Sequence, residues 1–279
     1  MSAPAGLIAE TLAAGAALEV AGERPYTLAP EGAPGYRPAQ EHLDDRTALE
    51  RQLDDGSAEL GVARRDIPAT FIAQLYAWAL AAPMAAALLS TGRVPALDPA
   101  SVSIAPARGT RAPAFGLRAT TIAVLPGDAA AAAPGTRTVP GRGALVGVLW
   151  QAVAAHLDTL VPALAAASGR PRRALWRVAH DGVAGAVMRL GELTDAREAS
   201  WALWEEARTH APARLAGAAR PVLVDVDGTP EMLLERAGCC LAYRCPAFPQ
   251  PCVGCPLTPA AERPARLAAA RRQRGAAVG

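Results

Sequence analysis

The chain has 279 residues, which suffice for one large domain or for a domain with a small added module. Its formal net charge of +2 is close to neutral and gives no reason to expect nucleic-acid binding. Lysine is absent, so arginine supplies the positive charge, and no basic segment followed by an apolar run indicates a signal peptide. We therefore expect a cytoplasmic protein.

Residues 1–65 predict helices separated by a loop. Residues 3–20 are apolar and rich in alanine, which favours a helix, whereas residues 21–41 contain four prolines and several glycines and predict an extended loop. Residues 43–65 mix acidic and basic side chains with spaced leucines, which is typical of one or two solvated helices. This segment either covers a substrate pocket or closes the core.

An uncharged segment, residues 67–92, is long enough to span a bilayer. Its high alanine content favours a buried core helix instead, and we keep peripheral contact with the inner membrane face as the alternative. Asp66 is expected to cap this helix, and Pro68 suits its first turn. Pro83 is expected to kink the helix or to split it in two.

The middle of the chain predicts a β region followed by helices. Segments with strand composition are 102–105, 114–117, 120–125 and 222–226. Segments with helical spacing of apolar residues are 149–164, 175–190 and 196–208. Residues 127–143 predict a flexible loop, and Asp227-Gly228 predicts a turn after the last strand.

The five cysteines all lie between positions 239 and 255, which indicates a metal centre; they are Cys239, Cys240, Cys245, Cys252 and Cys255. The odd count and the lack of a signal peptide argue against a disulfide framework. The Cys252-x-x-Cys255 pair suits zinc. The adjacent Cys239 and Cys240 suit an iron–sulfur cluster, whose iron atoms lie a few ångströms apart. Spacing alone leaves zinc and an iron–sulfur cluster comparable.

The cysteine pattern resembles the signature of the FhuF family of ferric siderophore reductases. In that family a Cys-Cys pair is followed, about ten residues later, by C-x-x-C and a proline. Here Cys239-Cys240 is followed by Cys252-Val253-Gly254-Cys255-Pro256, and Leu241-Ala242-Tyr243-Arg244 after the pair is similar too. The gap, 241–251, is one residue longer than the usual pattern and contains Cys245. A weaker similarity extends over residues 65–257, at 94–97, 102–104 and 174–185.

The resemblance implies a [2Fe–2S] cluster held by Cys239, Cys240, Cys252 and Cys255, which serve as both its metal and its cofactor ligands. Cys245 either packs beside the cluster or replaces Cys239 or Cys240 as a ligand. The implied fold is α+β, with a mostly helical body, a small antiparallel sheet and a C-terminal cysteine-rich iron–sulfur module. We divide the chain into segments 1–65, 66–237, 238–257 and 258–279. The last, rich in arginine and alanine, is expected to fray or to form a short exposed helix.

The implied activity is one-electron reduction of a ferric siderophore in the cytosol, with a hydroxamate-type chelator as our guess. Because we find no nicotinamide, flavin or P-loop motif, the electron is expected to come from a separate donor, a ferredoxin or a flavin reductase. Two alternatives stay open: a zinc-stabilised binding protein without a redox role, and an iron–sulfur sensor.

Two further expectations concern groups around the cluster. The backbone amides near Gly238, Val253 and Gly254 are expected to donate hydrogen bonds to cluster sulfur. The histidines, His42, His156, His180 and His210, have no metal-binding spacing and are expected to be structural. We single out His180 as the histidine that could tune the potential of the cluster or couple its reduction to a proton.

Overall fold

The computed structural model describes residues 5–12, 26–27, 34–117 and 121–278. The helices are α1 Ala5–Leu12, α2 Ala39–Asp44, α3 Arg46–Glu59, α4 Asp66–Thr91, α5 Arg142–Ser168, α6 Arg172–Leu193, α7 Arg197–Thr209 and α8 Arg263–Val278. The strands are β1 Tyr26–Thr27, β2 Arg37–Pro38, β3 Val94–Pro95, β4 Val102–Ala105, β5 Ala114–Leu117, β6 Ile122–Val124, β7 Thr136–Thr138, β8 Arg220–Val226 and β9 Thr229–Glu235. The fold therefore combines a mainly helical body with small sheets, as predicted.

The strands form small sheets with the orders β1-β5-β4-β2, β3-β6-β7 and β8-β9. Most pairs are antiparallel, but β1 with β5 and β6 with β7 are parallel. Strand β7 lies within residues 127–143, which were predicted to be a loop. That prediction was wrong because β7 is only three residues long and carries no alternating apolar pattern that would indicate a strand.

Helix α4 is the central helix of the core, as predicted, and it packs along α6. The helix is continuous across Pro83, so the predicted split was wrong; burial of the surrounding residues holds the helix although one internal hydrogen bond is lost. The predicted cap was also wrong. Arg65 occupies the capping position, and Asp66 is the first helical residue, paired with Arg64 at 2.6 Å.

Helices α4 and α5 are both long and apolar enough to cross a membrane, with mean hydropathies of 1.6 and 1.5 over their most apolar windows. In this fold, 78% and 67% of those windows are buried inside the protein. Core helices of soluble proteins have the same length and hydropathy, so these helices are weak evidence for a membrane span.

The N-terminal helices belong to the same core as the body. Ile8, Leu12, Leu43, Leu49 and Leu53 are buried in one hydrophobic cluster with residues of α4, α5 and α6. The helix predicted at 3–20 is seen over Ala5–Leu12, and residues 13–20 lie outside the described part of the chain. The loop predicted at 21–41 was too long, because α2 begins at Ala39.

The C-terminal part is built on the hairpin β8–β9. Asp227 and Gly228 connect the strands with φ angles of 54° and 81°, the left-handed conformation of a tight hairpin turn. Helix α8 packs on this hairpin through Ala268, which is buried with Val224 and Val226. The prediction of a frayed or exposed tail was therefore wrong over the start of α8, because its apolar side chains find a partner in the hairpin.

The close contact between α4 and α6 generates our first prediction. A Cβ at Gly182 would overlap the carbonyl oxygen of Gln74 and lie 3.2 Å from the backbone nitrogen of Trp78. We expect Gly182→Ala to lower the free energy of unfolding by about 1–3 kcal/mol through overpacking, measured by urea denaturation. Gly185→Ala on the same helix is the control, since its Cβ would meet only Trp78 at 3.8 Å. That variant should gain about 0.5–1 kcal/mol, and equal effects of the two substitutions would contradict the prediction.

Candidate metal centre

The cysteines lie on the segment between β9 and α8, residues 236–258, which we call the cysteine segment. Leu241 follows the Cys239-Cys240 pair with a φ of 63°, a left-handed conformation that reverses the chain into the short 3-10 turn Ala242–Arg244. A second turn closes where the amide of Cys255 donates to the carbonyl of Cys252 at 3.0 Å. The Thr258 hydroxyl donates to the same carbonyl at 2.8 Å. Two tight turns thus fold the segment back on itself.

The folded segment brings two of the four predicted ligands, Cys239 and Cys255, close together. The Sγ atoms of Cys255 and Cys239 lie 3.8 Å apart. The pKa of the Cys252 thiol is raised by burial, lowered by Arg236, and raised again by Cys240 and Cys239, so these sulfur atoms are electrostatic neighbours. Within the described residues, no three His, Cys, Asp or Glu side chains are arranged to hold a single metal ion.

The thiols in this group oppose one another's ionisation. Burial, with smaller contributions from Cys239 and Cys252 and against a lowering by a backbone hydrogen bond at Leu257, raises the pKa of Cys255 to about 12. Converging thiolates without a positive charge between them are unfavourable, whereas a bound metal deprotonates coordinating thiols outright. A cation bound among these cysteines would relieve this mutual opposition.

Polar groups of the protein also point at the sulfur atoms. The amide nitrogen of Leu241 lies 3.4 Å from Cys239 Sγ and donates to it. Arg236 Nη1 lies 3.8 Å from Cys240 Sγ. The amide of Gly238, which was expected to serve sulfur, donates instead to Asp181, so that part of the expectation was wrong. The hydrogen bond from the Leu241 amide depends on the left-handed conformation of Leu241, which could not be predicted from the sequence.

Asp181 of α6 anchors the start of the cysteine segment. Its two carboxylate oxygens accept hydrogen bonds from the amides of Ala237 at 2.7 Å and Gly238 at 2.9 Å. The side chain is 1% exposed, and this burial raises the pKa of Asp181 to about 6, although the two amides and then Arg236 and Arg177 lower it. The sequence did not predict this role, because the pattern of α6 shows a carboxylate but not the distant amides that donate to it.

The Cys239-Cys240 pair is also held through its carbonyl groups. The Thr70 hydroxyl of α4 donates to the Cys240 carbonyl at 2.6 Å, and Arg170 Nη2 donates to the Cys239 carbonyl at 3.1 Å. Gly238 and Gly254 leave no room for side chains. A Cβ at Gly238 would lie 2.9 Å from Val178 Cγ1, and one at Gly254 would overlap the Leu234 carbonyl oxygen. The backbone around the cysteines is therefore closely packed on the body.

Solvent reaches this group from one side. Cys240 and Cys255 are buried and Cys239 is partly buried, whereas the Cys252 residue is exposed. An open cleft of about 290 Å³ lies beside Cys252, between α6 and β9. It is lined by Gly185, Met188, Arg189, Glu192, Leu233, Leu234, Arg236, Cys252 and Gly254. A larger cleft of about 620 Å³, along α3 and residues 106–108, contains no residue of the cysteine segment.

Cys245 occupies a different environment. It is 2% exposed and packs in a small apolar cluster with Leu60, Ile67 and Leu241. Burial raises the pKa of its thiol, and nearby Cys240 raises it further. This thiol thus lies close to Cys240 while it fills space between α4 and the cysteine segment.

Two of the histidines, His180 and His156, are buried in the core. His180 is fully buried between Trp150 and Trp204, at ring distances of 6.0 and 5.0 Å, and burial lowers its pKa to about 4. Neither of its ring nitrogens has a hydrogen-bond partner among the described residues. His156 Nε2 donates to the Leu97 carbonyl at 3.0 Å, and the Tyr76 hydroxyl donates to His156 Nδ1 at 2.6 Å. A link between His180 and a cluster stays a prediction.

Comparison with known proteins adds no assignment: no model of a known protein family matches the chain, and a search of curated proteins finds no match. What the site does must therefore be argued from its residues.

The anchoring by Asp181 gives a second prediction. Asp181→Ala leaves the amides of Ala237 and Gly238 without an acceptor, which should cost about 1–3 kcal/mol of stability. Amide hydrogen exchange over residues 237–241 should accelerate, measured by mass spectrometry. The control is Asp158→Ala on α5, where the lost ion pair with Arg214 is about half exposed and should cost less than about 1 kcal/mol. Unchanged exchange in the Asp181 variant would show that the segment does not depend on this carboxylate.

Proposed function

We propose that this protein is an iron–sulfur ferric-siderophore reductase of the cytosol. The observation that carries the proposal is the convergence of Cys239, Cys240, Cys252 and Cys255 in one short segment, with two sulfur atoms 3.8 Å apart. The similarity of their spacing to the FhuF signature supports an iron–sulfur centre over zinc. In this proposal the four cysteines hold a [2Fe–2S] cluster, which when bound supplies a one-electron carrier.

The surrounding residues have defined roles in this proposal. Asp181 and Thr70 hold the backbone of the cysteine pair, and the Leu241 amide donates to Cys239 Sγ. Arg236 places a positive charge near Cys240 Sγ. The apolar side chains of Leu60, Ile67 and Phe71 exclude water on the side facing α4. The site is thus dry on one side and open at Cys252 on the other.

The open side is where we place the ferric complex. Ferric iron is a hard cation that oxygen-donor siderophores hold tightly, and ferrous iron is held far more weakly. Adding one electron to the iron therefore releases it without breaking the chelator. The cleft beside Cys252 brings a bulky complex next to this cysteine, and its apolar and arginine-bearing walls provide contacts for the chelator. A hydroxamate siderophore remains our guess for the substrate.

Metal and acid-labile sulfide analysis of anaerobically purified protein tests the proposal. We expect about two irons and two sulfides per chain, and an electron paramagnetic resonance signal with S = 1/2 only after reduction. Serine at any of positions 239, 240, 252 or 255 should abolish or strongly change that signal. Cys245→Ala is the matched control and should retain both irons, because Cys245 packs against apolar neighbours.

Other results would select the alternatives. One zinc per chain without sulfide would replace the redox proposal by a zinc-stabilised binding protein. A cluster that is reduced normally but does not reduce ferric hydroxamates would favour a sensor. Loss of iron in Cys245→Ala with retention in a serine variant at position 239 or 240 would move one ligand to Cys245.

The position of Arg236 predicts a change in reduction potential. A nearby positive charge favours the reduced, more negative form, so Arg236→Gln should make the potential more negative. We expect a shift on the order of 60 mV, equal to a tenfold change in the one-electron equilibrium. Titration with redox mediators would measure it. Arg197→Gln, at the start of α7 and beyond the far end of α6, should leave the potential unchanged. A positive shift in the Arg236 variant would contradict this electrostatic role.

A further inference from the structure

The start of α6 carries an unusual concentration of positive charge. Arg170, Arg172, Arg173 and Arg177 lie within its first two turns or just before them, and its first turn has no acidic residue. Pro171 occupies the capping position and provides no side-chain hydrogen bond. Positive charges at a helix N-terminus oppose the helix dipole, so this arrangement lowers the stability of α6. Stability alone does not account for it.

These arginines border the cysteine segment. Arg170 Nη2 donates to the Cys239 carbonyl at 3.1 Å. A Cβ at Gly238 would lie 3.2 Å from Arg177 Cβ, so α6 and the segment are in direct contact. Arg236 adds a fifth positive charge 3.8 Å from Cys240 Sγ. We call these five arginines, 170, 172, 173, 177 and 236, the arginine patch.

The arginines of the patch lie close together without direct ion pairs to acidic side chains. Elsewhere, Arg64, Arg65, Arg142 and Arg214 form ion pairs with Asp66, Asp54, Glu206 and Asp158. Within the described residues, no ion pair includes an arginine of the patch, and residues 236–258 contain no Asp or Glu. The patch therefore presents a positive field next to the cysteines that the buried Asp181 beside Arg177 and Arg236 compensates only in part, on a chain whose net charge is only +2.

We propose that the arginine patch docks an acidic electron-donor protein. This inference rests on the proposed function and names the partner of the same site. The reduced donor would supply one electron to a centre held by the cysteines and would leave oxidised by one electron. That electron then reduces one ferric ion of the substrate to ferrous iron. Docking at the patch brings the donor against Cys239-Cys240, on the side where Arg170 donates to the Cys239 carbonyl.

A protein partner fits this surface better than a small anionic chelate. Arg172, Arg173 and Arg177 are exposed side chains on the outside of a helix, whereas the cleft beside Cys252 offers concave walls for a chelate. Electron-transfer encounters use small interfaces in which complementary charge steers association. The cysteine segment also exposes Phe248 and Leu257, and aromatic side chains and arginines are enriched at protein interfaces.

The test uses a plant-type [2Fe–2S] ferredoxin with a strongly acidic surface as the probe. Its dissociation constant is measured by calorimetry at low and high salt, with wild type and with the double variant Arg172→Glu/Arg173→Glu. We expect wild-type binding that weakens with salt, and binding at least about tenfold weaker in the double variant. The melting temperature of the variant should not fall, since glutamates suit the start of a helix. The matched control is Arg197→Glu, an exposed first residue of α7, at the opposite end of the roughly 33 Å long α6, and it should bind like wild type.

A second measurement separates docking from the redox activity itself. Reduced methyl viologen, a small cation, should reduce wild type and double variant at similar rates, whereas reduced ferredoxin should reduce the variant more slowly. Equal ferredoxin affinity in both proteins would overturn the docking inference. A raised KM of the double variant for the ferric chelate, with viologen as reductant, would also overturn it, because the patch would then bind substrate. Absence of iron and sulfide, determined before any partner is added, would overturn the proposed function itself.

Discussion

The site depends on the packing of α4 against α6. At their contact, Gly182 brings the backbone of α6 against the carbonyl of Gln74, so that the two helices approach more closely than larger side chains allow. Each helix then supplies one anchor for the cysteine segment: Thr70 from α4 and Asp181 from α6. Any change in the spacing between these helices would move the two anchors relative to each other, and with them the cysteine pair. The core thus determines the geometry of a site that lies at its edge.

The charges around the cysteines favour negative charge on their sulfur atoms. Each thiolate would raise the pKa of the neighbouring thiols, while Arg236 and the Leu241 amide lie where negative charge on sulfur would develop. The buried carboxylate of Asp181 would add negative charge, but two amides and the nearby arginines compensate it. The result is a group of cysteine sulfur atoms with positive charge at its border. Such a border would stabilise electron-rich states of a centre bound by these cysteines.

Local patterns in the sequence predicted much of this fold. The uncharged segment predicted α4 as a core helix, and the spacing of apolar residues indicated α5 and α6. The Asp227-Gly228 pair predicted the hairpin turn. The positions of the cysteines marked the candidate site. The predictions that were wrong concerned tertiary contacts. Burial keeps α4 continuous at Pro83, and the hairpin provides a surface on which α8 packs. The anchors were missed because Thr70 and Cys240 are 170 positions apart, and no periodicity records such a contact.

The order of elements along the chain has a consequence for maturation. The cysteine segment follows the helical body, and both of its anchors belong to helices that come earlier in the chain. The body can therefore be complete while the cysteines are still leaving the ribosome, so the receiving surface exists before the ligands reach it. The four cysteines also span few residues, so bringing them together costs little chain entropy. Metal loading at these cysteines, as proposed, would then be a late, local event, and an unloaded chain would keep its helices while its cysteines remain open to oxidation.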